Sequence, residues 1–147
     1  MKPGDIPSWG ADWAWGLPLV IVTVIFHAYT LGLINKDVTS RLSGTERAQL
    51  STEVFTIGGT ALSATFLHGL EAIGWAVAYR ILGALPDFKS AMLYSMSAIT
   101  SYGHTNLYLE PYWQMMGTLE AMDGWILFGL TTAFLFAVIQ RAWLQRT

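Results

Sequence analysis

The chain has 147 residues, of which 53% are hydrophobic and 12% charged, with a mean hydropathy of +0.42. That apolar share exceeds what a globular domain carries and points to an integral membrane protein with room for about three spans. A net charge of -2 offers no basic patch for nucleic acid, and the lack of cysteine excludes disulfides, thiolate metal sites and iron–sulfur clusters.

The chain opens with Trp9, Trp13 and Trp15, which beside an apolar segment read as an interfacial belt. Asp5 and Asp12 precede the first apolar run and no small-residue cleavage site stands out, so a cleaved signal peptide is not expected. The first span is expected over Leu17 to Ile34. It has no arginine series, so it is not a voltage sensor, and it is expected to pack peripherally. The polar stretch INKDVTSRLSGTERAQLSTE reads as a loop or short surface helix. Ser51 or Thr52 would cap the next helix, with Glu53 in its first turn.

The second span is predicted from Val54 to Leu85, where Pro86 ends it. Asp87 is placed to N-cap a helix from Phe88 to Ile99, which at about 12 residues is too short to cross a bilayer. A small polar loop follows, Thr100-Ser101-Tyr102-Gly103-His104. The third span lies between Met115 and Ile139. Non-helical backbone at membrane depth is tolerated only where protein buries it or water bathes it. A half-helix ending in a polar loop is how ion filters are built.

Five of the eight positive residues are Lys36, Arg41, Arg47, Arg141 and Arg146, in the loop after span one and at the C-terminus. The positive-inside rule makes that side cytoplasmic and puts the N-terminus and the polar loop outside.

Charges inside a span cost about 2.5–3.5 kcal/mol each on insertion scales, so they face protein or water. Span two carries His68 and Glu71 at i,i+3, where side chains can meet, and they read as a structural polar pair with Trp75 and Tyr79 continuing the stripe. Arg80, near the end of that span, can snorkel. Span three carries Glu120 and Asp123, again i,i+3, which read as a ring around a central cavity or as first-turn acids near water. Gly124 and Gly129 permit bending or close packing. His27 reads as a buried histidine donating to a carbonyl, and Met92, Met96, Met115 and Met116 as packing. His68 and Glu71 on one helix with Glu120 and Asp123 on another also have the geometry of a bundle metal site.

Leu93-Tyr94-Ser95, Ser97-Ala98-Ile99-Thr100-Ser101-Tyr102-Gly103-His104, Trp113 and the run from Gly117 to Val138 make residues 54 to 143 resemble the pore module of the potassium-channel-like family. The resemblance implies a tetramer with one filter on its axis and an inner helix built from span three. It also implies filter residues Ile99, Thr100, Ser101, Tyr102, Gly103 and His104. Three departures set this loop apart from a standard potassium filter. Ser101 stands at the first filter glycine, where a left-handed backbone costs a non-glycine residue roughly 1–2 kcal/mol. Ile99 stands at the filter threonine in an ungapped alignment. His104 stands at the outer acidic position, an imidazole in place of a carboxylate.

The fold expected is therefore an all-α membrane protein, three transmembrane helices plus a re-entrant pore helix and filter-like loop, assembled as a homotetramer. Residues 1–53 form an N-terminal interfacial segment, first span and cytoplasmic loop, and residues 54–147 the pore module. The expected function is passive conduction of a monovalent cation, potassium favoured, across a bacterial inner membrane. No catalytic residue, resident metal, cofactor or nucleic-acid partner is expected. The alternatives are a membrane metal-binding protein or enzyme subunit using His68, Glu71, Glu120 and Asp123, and a non-conducting structural subunit of a membrane complex.

Overall fold

The computed structural model describes residues 9–43, 50–103 and 106–144. Four α-helices occur among them: α1 (Gly10–Ser43), α2 (Leu50–Ile81), α3 (Phe88–Ile99) and α4 (Gln114–Leu144), with a 3₁₀ turn at Pro111–Trp113 before α4. Three of these, α1, α2 and α4, are long and apolar enough to cross a membrane. At 1.5 Å per residue each measures about 45–50 Å, more than the roughly 30 Å of hydrocarbon in a bilayer. Phe55, Leu62, Phe66, Trp125, Phe128 and Phe136 stand exposed on their outer faces. A chain surrounded by water does not tolerate so much exposed apolar surface.

Helix α1 runs nine residues past the expected end of the first span. Its buried positions explain why: Asp12, Gly16, Thr23, His27, Leu31, Val38 and Leu42 recur at steps of four and seven and form one continuous stripe. Val38 and Leu42 pack with Val138, Ile34, Ile57 and Phe134, so the polar-looking stretch is helical as far as Ser43 because one face of it is core; residues 44–49 lie outside the described residues. Helix α1 is the least buried of the three long helices over its apolar stretch, yet it docks firmly. Its contact with α4 is the most extensive in the fold. The two helices run parallel and in register. Asp12 meets Met116, Thr23 meets Asp123, His27 meets Thr131 and Asn35 meets Arg141, at sequence offsets of 104, 100, 104 and 106.

Helix α2 begins at Leu50, so Ser51 and Thr52 lie inside it and do not cap it. It ends at Ile81, four residues before the expected stop. The terminator is Gly83 rather than Pro86. Gly83 adopts φ +66°, its N–H donates to Arg80 O at 3.2 Å, and the N–H of Ala84 donates to Tyr79 O at 2.9 Å. That pair of bonds is a Schellman cap, which needs a left-handed residue and so favours glycine. Arg80 closes the turn through the Leu85 carbonyl.

The segment between α2 and α4 descends beside both helices and returns. Asp87 starts α3, accepting from Ser90 N at 2.9 Å and Ser90 Oγ at 2.7 Å. Ile99 at its far end packs with Ala72 and Leu127. Its carbonyl lies against Gly124, where a Cβ would come within 1.9 Å of the oxygen. Gly124 is ten residues into α4, so the tip of α3 sits about 15 Å below the helix start. The irregular return segment comes back to the starting level, where the N–H of Glu110 donates to Ala84 O at 3.1 Å and Leu109 packs with Ala84, Leu85 and Trp75.

Candidate functional site

Two features share the centre of the bundle: the tip of the α3 excursion and a buried polar network behind it. At the tip, Thr100 caps α3 and Ser101 adopts φ +54°. The Ser101 N–H donates to Ala98 O and the Tyr102 N–H to Ser97 O, both at 2.9 Å. This repeats the cap that ends α2, with serine in the glycine position. Trp125 Nε1 donates to Ser101 Oγ at 2.8 Å and ties the tip to α4. Gly103 is also left-handed, at φ +83°. Thr100 to Gly103 are exposed, and their carbonyls accept no hydrogen bond among the described residues. Ile99, the first position of the expected filter, is instead buried in the core. His104 lies outside the described residues, as do Arg47 and Arg146. A cleft of about 400 Å³ opens beside the tip, walled by Ile99, Thr100, Ser101, Trp125, Phe128 and His68.

Behind the tip, Glu120 and Asp123 are fully buried and face the interior of their own protomer. Tyr79 OH donates to Glu120 Oε2 at 2.6 Å. Ser95 has one proton for two acceptors, the other Glu120 oxygen and the Ala72 carbonyl at 2.8 Å. Asp123 Oδ2 accepts from Thr23 Oγ1 at 2.7 Å and from Trp75 Nε1 at 3.0 Å. These bonds replace the expected ring around a central cavity. Donors from α1, α2 and α3 engage both side chains, and Asp123 Oδ1 is left without a bond.

His68 and Glu71 do not bond each other. Glu71 Oε1 pairs with His27 Nδ1 across the α1–α2 interface at 2.8 Å, and His27 Nε2 lies 3.0 Å from Thr131 Oγ1. His68 Nδ1 turns back to Ala64 O at 2.8 Å, one turn earlier on its own helix. The ring donors of the facing helix outcompete a neighbour at i,i+3. His27 therefore bonds side chains, not the carbonyl expected for it. The expected grouping of His68 and Glu71 with Glu120 and Asp123 is replaced by one of His27, His68 and Glu71, whose donor atoms all lie within 4.8 Å of one another. Of the two glycines, Gly124 makes the close approach, and Gly129 has nothing within 4 Å.

Sequence reading missed Thr23, Thr131, Ser95, Trp125 and Asp12. Asp12 Oδ1 accepts from the Met116 N–H at 3.2 Å and so caps α4 from another helix. Its position on the buried stripe of α1 was the one available signal. In class, the fold is a three-helix membrane bundle with a short helix inserted from one end. No family model matches the chain, and neither a curated protein nor a solved structure matches it.

Proposed function

We propose that the chain is one subunit of a homotetrameric channel passing a monovalent cation, potassium first, across a bacterial inner membrane. The observation that carries this reading is the excursion from Ala84 to Glu110. A helix too short to cross descends about 15 Å between two long ones and ends in an exposed loop whose carbonyls accept no hydrogen bond among the described residues. Set into a bilayer, that segment is re-entrant. Copies arranged about an axis would present the carbonyls of Thr100, Ser101, Tyr102 and Gly103 to an ion in place of water. The C-terminal, negative end of the α3 dipole points to the same place. With Glu120 and Asp123 turned inward, cation preference rests on carbonyls and helix dipole alone. The meeting of Arg141 with Asn35 puts the basic ends of α1 and α4 on one side, which the positive-inside rule makes cytoplasmic.

The test is flux in proteoliposomes together with particle symmetry in nanodiscs. Fourfold particles and a potassium-selective flux are expected. Ser101→Gly relieves a left-handed serine, worth roughly 1–2 kcal/mol per copy, and should raise the potassium-to-sodium ratio. Trp125→Phe removes only the tether to Ser101 and should lower it. Monomeric particles without flux, or a ratio that Ser101→Gly leaves unchanged, would sink the reading.

A further inference from the structure

We infer that His27, His68 and Glu71 form a binding site for a divalent first-row transition ion, with zinc as its natural probe. The inference goes beyond the channel reading and is independent of it, since a conducting and a non-conducting protein could hold the same ion.

Two imidazoles and a carboxylate make a donor set suited to zinc or ferrous iron, and unsuited to magnesium or calcium, which take oxygen ligands. Two of these side chains carry a buried atom without a partner. Glu71 is 2% exposed, and its Oε2 has no hydrogen-bond partner; His68 Nε2 is likewise buried and unpartnered. An orphaned carboxylate oxygen in an apolar bundle is costly, and a cation is the partner that satisfies it.

The surroundings of both rings already have the form that metal-bound histidines adopt. A ligating imidazole almost always donates its other N–H to a carbonyl, carboxylate or other acceptor, which fixes ring and tautomer. The Ala64 carbonyl can only accept, so His68 Nδ1 carries the proton and Nε2 is the atom left to bind. His27 Nε2 lies 3.0 Å from the Thr131 hydroxyl, which can accept a hydrogen bond from the Nε2–H tautomer and so leave Nδ1 free for the ion. The ion would then take the place of the His27–Glu71 hydrogen bond and link α1 to α2.

Geometry asks for a modest adjustment. Donors about 2.1 Å from one tetrahedral ion stand about 3.4 Å apart, so a triad within 4.8 Å contracts by roughly 1.4 Å at its widest. The half-buried His68 ring, which also walls the cleft beside Thr100 and Ser101, can supply that movement. The cleft reaches the triad at the His68 ring. Asp123 Oδ1 is a further buried oxygen without a partner, and the carboxylates of Glu71 and Asp123 together would balance a divalent charge.

The experiment uses the purified full-length protein with any affinity tag removed, titrated with zinc against a chelating indicator. Cobalt(II) spectra serve as a second readout. One zinc per chain is expected, with a raised thermal midpoint and a cobalt spectrum showing nitrogen ligation. Glu71→Gln keeps the side-chain volume and should weaken zinc binding about 100-fold or more. His68→Ala should do the same, and Thr131→Val should cost about 10-fold, as loss of an outer partner does. If His68→Ala fails to fold, Glu71→Gln decides. No stoichiometric zinc in the unmodified protein overturns the site. So does wild-type affinity in Glu71→Gln or in a folded His68→Ala protein.

Discussion

Ser101 and Gly83 hold the same station at the ends of two helices, and the difference between them is chemical. Glycine meets a left-handed φ without steric cost, whereas serine pays it and is held there by the hydrogen bond from Trp125. Asp87 shows the opposite economy, an exposed residue well matched to its place. The hydrogen bonds it accepts from the Ser90 N–H and hydroxyl hold its carboxyl below the usual carboxylate range. A lowered folded pKa means stabilisation that is present above the ordinary carboxylate pKa and lost as pH falls through the lowered value. Asp87→Ala should therefore lower the thermal midpoint in detergent at neutral pH and do so less in acid. Asp87→Asn should keep the cap and lose the pH dependence. An equal loss for Asp87→Ala at every pH would show that the carboxylate is not the capping group.

At the scale of elements, the fit of α3 against α4 is tightest at Gly124. A Cβ there would lie 1.9 Å from Ile99 O and 2.7 Å from its carbonyl carbon, and backbone cannot swing aside as a side chain can. Gly124→Ala should cost about 1–3 kcal/mol, the usual range for overpacking. Gly129, with open space around it, gives the control: Gly129→Ala should stabilise α4 by about 0.5–1 kcal/mol through helix propensity alone. Reversible unfolding in mixed micelles measures both. A Gly124→Ala protein as stable as the unmodified one would mean that the tip of α3 does not touch α4.

Across the whole molecule, two apolar clusters bracket a polar layer. Trp75, Tyr79, Met116 and Leu119 pack at the α3 end, and Val38, Leu42 and Val138 at the other. Between them lie Thr23, His27, Glu71, Asp123 and Thr131, joined by hydrogen bonds. Such a layer makes the register of three helices specific, because a slip strands several buried polar groups at once. Parallel α1 and α4, with α2 running between their opposite ends, put Lys36 and Gln140 on one side and Lys89 and Glu110 on the other. The chain has no cysteine, so single-cysteine variants at these four positions can be labelled without background. An impermeant maleimide applied to sealed vesicles should reach one pair from outside and the other only after permeabilisation. Labelling of Lys36→Cys and Glu110→Cys from the same face would contradict this arrangement.

What the sequence determined alone was local or compositional. Apolar runs mark three spans because lipid demands them. Phe88 to Ile99 was legible because Asp87 caps the helix through Ser90, three residues away. The extension of α1 through Leu42 is also written in its four-and-seven periodicity, and Gly83 is a stop signal three residues ahead of Pro86. Tertiary structure alone decided which buried charge met which partner. His27 reaches Glu71 across 44 residues and Thr131 across 104, and Asp123 finds Thr23 across 100. Spacing along one helix says which side chains share a face. It cannot say which groups on another helix that face will meet, because that depends on how far the two helices slide before their polar atoms are satisfied.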